Sequence, residues 1–130
     1  MTYWNSFEGL IKISTFADGI GPSMKQLVDI DPETKKITPT KFYHNAKDLN
    51  LLIHVYTLNV DRLPTFAFDY RHLLEIFTRD VKVDGVFTDF PDLTIRSIAK
   101  LENSSNRLLT TNFATYLISL ICFICVISIY

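Results

Sequence analysis

No run of basic residues occurs in this sequence. Its 13 Lys and Arg stand against 14 Asp and Glu, giving a net charge of −1, and they are scattered along the chain. A surface that neutralises nucleic-acid phosphates needs a basic stripe, so that class of partner is excluded. Cysteine is scarce as well: the 2 present, Cys122 and Cys125, both lie in an apolar C-terminal stretch. A redox pair needs a partly exposed, electropositive setting that lowers a thiol pKa, and an apolar stretch supplies the opposite. The two thiols read as small apolar side chains on one helix face, with palmitoylation left open. No disulfide framework can be drawn. Nor do histidines and carboxylates cluster anywhere at metal-ligand spacing.

What is present fits one folded domain. The chain has 130 residues, 48% apolar and 21% charged, enough for a single core but not for two. Arg107 is the last charged residue, and residues 114–130 (ATYLISLICFICVISIY) are nearly all apolar. As a helix this stretch would be roughly 25 Å long, near the lower limit of a membrane span. A terminal helix packed on a soluble core normally keeps a polar face, and this one has almost none, which favours membrane insertion. Two kinds of tail fit, a permanent anchor and a glycosylphosphatidylinositol signal, the latter supported by Asn103, Ser104, Ser105 and Asn106 ahead of a short spacer. Asn103-Ser104-Ser105 is also an N-glycosylation triplet, which with the tail points to the secretory pathway and the cell surface. The expected organisation is therefore a body over 1–102, a polar spacer over 103–113 and a hydrophobic membrane tail over 114–130.

Within the body, helix and strand signals alternate. Ser6 is placed to cap a helix carrying Phe7, Leu10 and Ile11. FADGIGP, residues 16–22, reads as a very short strand and then a turn with two glycines and a proline, where glycine allows positive φ or close backbone approach. The polar stretch 29–36 reads as a surface loop, and Thr38-Pro39 as the cap and first-turn proline of a helix with Phe42, Tyr43, Ala46 and Leu49 on one face. LLIHVYTLN, residues 51–59, is a run of β-formers too continuous for a half-exposed strand. A loop over 60–67 leads to Asp69, which caps a helix with Tyr70, Leu73, Leu74 and Phe77 at i, i+3, i+4 and i+7. VDGVF, residues 83–87, is the next strand, and after Phe90-Pro91-Asp92 a helix carries Leu93, Ile98 and Leu101 into the tail. Such alternation predicts an α/β architecture of parallel strands covered by helices. Three short strands alone would leave two open sheet edges.

Three segments then stand in order: ADGIGP (17–22), IHVYTLN (53–59) and GVFTDFPD (85–92). Together they resemble the C-terminal part of glycerophosphodiester phosphodiesterases, most closely the larger periplasmic and secreted type with its long loop after the second strand. The resemblance runs from Phe7 to Lys100 and leaves the tail outside. It implies the C-terminal part of a TIM-type (β/α)8 barrel, about three βα units, with these strands as its sixth, seventh and eighth. In such barrels the site is built at the carboxyl ends of the strands. The resemblance thus places Gly19, Gly21, Tyr56, Thr57 and the 88–91 turn, with Phe90, around the mouth as substrate-binding residues. Tyr56 stands where the family has an aromatic against the glycerol or phosphate end of the substrate; simple packing is the alternative. Asp89 reads as a turn-fixing acceptor rather than a catalytic group. His54 matches a histidine of the larger type, and on a core strand it reads as a structural residue. Val55 replaces a proline and Asn59 an arginine of that type, while smaller members share the Val-aromatic-Thr-x-Asn run.

The resemblance also implies what the chain lacks. The family cleaves its diester with two histidines as acid and base and a divalent metal, Ca2+ or Mg2+, held by carboxylates. Its His-Arg-Gly motif and Glu-x-Asp pair do not occur here. His44 and His72 fall on helix positions beside polar neighbours and read as surface residues. No catalytic residue and no metal ligand is therefore assigned. The expectation is a fragment, opening inside what would be the fifth barrel helix, that is inactive alone. In the intact enzyme a glycerophosphodiester would give glycerol 3-phosphate and an alcohol. The alternatives are a non-catalytic, membrane-tethered partial barrel that binds a partner, and a plain tail-anchored protein facing the cytosol.

Overall fold

The computed structural model describes residues 3–105 and 127–128. After a short 3-10 turn, the Ser6 hydroxyl accepts from Gly9 N at 3.1 Å and opens α1 (Phe7–Ser14). That bond satisfies one of the helix's orphan donors, as the sequence predicts. The core face of α1 differs from expectation: Leu10 is buried with Ile13, while Phe7 and Ile11 are both exposed. Phe7 and Ile11 are four residues apart and so share a face, one turn above the other, on the side away from the core.

β1 (Gly19–Gly21) follows. The two glycines expected in a turn lie inside the strand, and no described glycine has positive φ. What Gly19 supplies is close approach, since a Cβ there would meet the Leu52 carbonyl oxygen at 2.9 Å. A short α2 (Met24–Leu27), not foreseen from the sequence, leads to β2 (Val28–Ile30) and β3 (Ile37–Pro39), an antiparallel hairpin. The polar stretch read as a loop is therefore mostly the hairpin's tip. There Asp31 Oδ1 accepts from Thr34 N at 2.7 Å and Glu33 N at 2.9 Å. The Thr34 bond chiefly, the Glu33 bond less, holds the Asp31 carboxyl below its ordinary value.

Thr38 and Pro39 complete β3 and do not cap the next helix. That role falls to Thr40, whose hydroxyl accepts from Tyr43 N at 3.2 Å and donates to Gln26 O at 2.6 Å, opening α3 (Lys41–Asp48). The signal was misplaced because Thr-Pro-Thr offers two cap-type residues, and pairing of Pro39 with Val28 selects the second. β4 (Leu52–Val55) comes next. Asp69 caps α4 (Tyr70–Glu75) as expected, accepting from His72 N at 2.7 Å, and a π-turn over Ile76–Asp80 extends it. Tyr70, Leu73, Leu74 and Phe77 are all buried, as their spacing predicts. β5 (Gly85–Val86) precedes α5 (Pro91–Ser105), in which Leu101 is buried and Ile98 packs on the core while Leu93 is exposed.

The main sheet has the order β5-β4-β1, with all pairs parallel, and its outer β1 edge carries β6 (Ile127–Ser128), also parallel. This is the mixed α/β architecture with a parallel sheet that the alternation predicts. Two expectations are corrected. β4 is not covered on both faces: Ile53 and Val55 are fully buried, but Leu52 and His54 are only half-buried. Among the described residues the expected apolar C-terminal helix is not found. Ile127 and Ser128, inside it, are extended along β1, and the rest of 114–130 lies outside the described residues. Ile127 suits a strand as well as a helix, and the edge of β1 offers a ladder to it and to Ser128. Among the described residues no helix is long and apolar enough to cross a membrane.

Candidate site at the strand ends

Register fixes what shares a face. Gly19 pairs with Leu52, Ile20 with Ile53, His54 with Gly85 and Val55 with Val86. Because side chains alternate along a strand and paired neighbours point the same way, Ile20, Ile53, Val55 and Val86 form one face. That face packs into the core with Leu10, Ile13, Leu73 and Phe77. The other face carries Gly19, Leu52, His54 and Gly85, followed outward by Gly21, Tyr56 and Phe87. Leu52, His54 and Tyr56 remain half-buried there, outside the core cluster.

The residues assigned to substrate binding do not all meet at the carboxyl ends. Gly21, Tyr56 and Thr57 are brought together there, while Gly19, paired with Leu52 where β1 and β4 begin, lies at the amino-terminal end of the strand. Tyr56 N donates to Pro22 O at 3.1 Å, and Ser23 bridges to Tyr56, so β1 and β4 stay side by side to the mouth. Thr57 follows directly, half-buried, across a cis peptide bond from Tyr56. Phe90 lies apart, 37% exposed, beyond β5 at the start of α5.

The turn between β5 and α5 is held by a hydroxyl, which corrects the role given to Asp89. Thr88 Oγ1 accepts from Phe90 N at 3.0 Å, while Asp89 is exposed and has no hydrogen bond among the described residues. Thr88 Oγ1 is itself 3.1 Å from Tyr70 Oη and 3.3 Å from Thr94 Oγ1, and Tyr70 Oη makes a short bond to Thr94. Thr94 Oγ1 also donates to Phe90 O at 2.8 Å. One buried hydroxyl cluster thus ties α4, α5 and the turn together. The cluster escaped the sequence reading, which placed Thr88 in the mouth turn and counted Tyr70 only as an apolar helix residue. The signal was the short Thr88–Thr94 spacing around a helix start.

A second polar assembly sits at the opposite, amino-terminal end of β5. Asp84 Oδ2 accepts from Ile53 N at 2.8 Å and from Lys47 Nζ at 2.6 Å, while Asp84 N donates to Ile53 O at 2.9 Å. The carboxylate thereby stands in for a ladder acceptor where β4 and β5 begin to pair. Asp84 was also missed; an Asp-Gly step in front of a strand was its only trace.

Of the three histidines, His44 is exposed and His72 is partly covered by stacking on Phe68 at 3.7 Å. His54 is different. Its ring lies over Gly85, where a Cβ would meet Cδ2 at 2.8 Å and Nε2 at 2.9 Å, and edge-on to Phe87 at 6.1 Å. Burial pushes its imidazole below the ordinary value of 6.5, against a weaker upward pull from the Asp84 carboxylate. No hydrogen-bond partner for its ring nitrogens occurs among the described residues. Nor do the described residues offer three His, Cys, Asp or Glu side chains placed to hold one ion. The donor set that a Ca2+ or Mg2+ site needs is thus not met by the described residues.

Comparison with known proteins follows the same direction as the motifs. No family model matches the chain. It is similar to a glycerophosphodiester phosphodiesterase of Treponema pallidum (strain Nichols), 28% identical over 93 residues, which is 71% of this chain and 26% of that protein. It is similar to a glycerophosphodiester phosphodiesterase of Haemophilus influenzae (strain ATCC 51907 / DSM 11121 / KW20 / Rd), 33% identical over 85 residues, 64% of this chain and 23% of that protein. The chain thus spans about a quarter of the length of the curated relatives it matches.

Proposed function

We propose that this chain is the closing segment of a glycerophosphodiester phosphodiesterase, contributing the last three βα units of a (β/α)8 barrel and one side of its substrate mouth. The observation that carries this reading is the parallel order β5-β4-β1, which sets the ends of the three motif segments side by side. The two similar proteins with that name support it. In the intact enzyme Gly21 would let the substrate approach the backbone, with Tyr56 and Thr57 walling it and Phe90 at the rim.

Hydrolysing a phosphodiester requires neutralisation of the non-bridging oxygens and proton delivery to the leaving alkoxide. A divalent ion would supply the first in the whole enzyme, and these residues do not hold it. The segment alone is therefore proposed to be inactive. Purified chain supplied with glycerophosphocholine and Ca2+ or Mg2+ should release no glycerol 3-phosphate; metal-dependent turnover would overturn that claim. The reading frame upstream of Met1 provides the other test. A His-Arg-Gly strand and a Glu-x-Asp pair there support the enzyme reading, whereas an untranslated region removes it.

A second reading is a non-catalytic partial barrel that stands alone, and one observation favours it. Ile127 and Ser128 cover the β1 edge from within the same chain. A two-state urea transition by the monomer would support it; a chain that unfolds without cooperativity would count against it. Attachment to a membrane through 114–130 remains a proposal carried by composition, and release from cell surfaces by a phosphatidylinositol-specific phospholipase would separate a lipid anchor from a span.

A further inference from the structure

The half-buried face of the sheet holds one polar side chain whose setting is not explained by packing alone. His54 is flanked by glycine on both neighbouring strands: Gly85 pairs with it on β5, and the β1 register, continued one step, sets Gly21 beside it. Its ring occupies the volume that any side chain at position 85 would take. Leu52 and Phe87 give the ring apolar surroundings. It is half-buried, and no described residue satisfies either ring nitrogen. Neither ring nitrogen is sealed from solvent, so both stay open to a ligand on this face.

The ligand's chemistry follows from the state of the ring. The charged groups near it are the Asp84 carboxylate and, on that carboxylate, the Lys47 ammonium, a pair that largely cancels. Burial keeps the ring neutral, with one N–H donor and one lone pair. A phosphate oxygen offers acceptors only and prefers a cation. A hydroxyl donates and accepts at once, so it matches a neutral imidazole. Along the strand His54 lies two residues, about 6.6 Å, inward of Tyr56 at the mouth.

Resting on the phosphodiesterase reading, we propose that His54, seated on Gly85, is the group that selects the glycerol end of the substrate by hydrogen bonding to one of its hydroxyls. The phosphate is held farther out, towards the strand ends.

Long-range 1H–15N spectra of the imidazoles test this on the whole chain, with His44 and His72 as internal controls. Glycerol 3-phosphate and glycerophosphocholine should shift the His54 ring nitrogens, whereas inorganic phosphate should leave them in place. H54F should weaken glycerol 3-phosphate binding about tenfold, the loss of one or two hydrogen bonds. H54Q, which keeps a donor and an acceptor, should restore part of it. G85A, which displaces the ring without removing it, should weaken binding in the same direction. If inorganic phosphate moves His54 as strongly as glycerol 3-phosphate does, the residue is an anion contact and the hydroxyl assignment is wrong. Equal binding by wild type and H54F overturns the inference while leaving the phosphodiesterase reading intact. Absence of any binding by the wild type overturns the inference as well, while the reading frame upstream of Met1 decides the phosphodiesterase reading separately.

Discussion

The two faces of β4 are built from alternate residues of one short segment, yet they do opposite things. Ile53 and Val55 are fully buried and belong to the same core cluster as Leu10 and Ile13 of α1, Leu73 of α4 and Phe77 of the π-turn. Leu52, His54 and Tyr56, on the other face, stay half-buried and outside that cluster. A parallel sheet normally has both faces covered. The difference teaches that the described chain completes one layer of its core, helix on sheet, and offers the second face to something else. Under the proposed reading that face looks into the barrel and towards the substrate.

The sharpest way to break this comparison is to truncate each face in turn. F77A on the covered face should cost about 3–5 kcal/mol in urea unfolding, since the lost contacts leave a cavity that the surrounding helices cannot close. I53A should cost about 2–5 kcal/mol by the same mechanism. L52A, on the half-buried face of the same strand and outside the core cluster, should cost less, about 1–2 kcal/mol, because its loss leaves no sealed cavity. Similar losses for I53A and L52A would mean that the two faces are equally packed.

The next perturbation is at the junction of β4 and β5. D84A removes the acceptor for Ile53 N and the partner of Lys47. The ion pair is about a third exposed on each side and contributes little. The unpaired Ile53 N–H dominates, and the expected loss is about 1–3 kcal/mol. K47A, which breaks only the ion pair, should cost less than about 1 kcal/mol. If the two variants lose the same amount, the charge and not the ladder bond is what Asp84 supplies.

Which parts of this were legible follows the physics. Helix starts could be read, because a cap is a local device: Ser6 and Asp69 each serve the helix that follows them. Thr40 was missed because the choice between two nearby threonines depends on the hairpin that claims Thr38 and Pro39. The helix over 70–77 was readable from its 3.6-residue spacing. The half-burial of β4 was not. Leu52 and Tyr56 are as apolar as their buried neighbours, so composition carries no alternation for a face that is completed elsewhere. The residues expected at the mouth were named from motif order, whereas the hydroxyl cluster of Tyr70, Thr88 and Thr94 exists only once α4 and α5 pack together.

That cluster gives a smaller test. Y70F removes the hydroxyl shared by Thr88 and Thr94 but keeps the ring in the core. Thr94 retains Phe90 O and Thr88 retains Phe90 N, so the expected loss is about 1 kcal/mol. Amide exchange should quicken at Phe90 and Thr94 more than in α1. Uniform quickening would mean that Tyr70 supports the fold at large and not this turn.

The smallest expected effect probes the half-buried face directly. The folded-state pKa of His54 is lowered from 6.5, first by burial, with Asp84 opposing. Between that lowered value and 6.5 the unfolded chain binds more protons than the folded one, so stability rises with pH across this window. His54 therefore costs nothing above 6.5, and the fold loses stability as pH falls from there towards the folded pKa. Urea midpoints measured from pH 7.5 down to 5.5 should decline, and H54Q should flatten that slope. D84N removes the opposing attraction, so it should extend the decline to lower pH. A midpoint that rises on acidification, and stops rising in H54Q, would show that the Asp84 carboxylate outweighs burial. His54 would then be a cation paired from below, and the half-buried face would present a charge to its ligand where a neutral ring is expected.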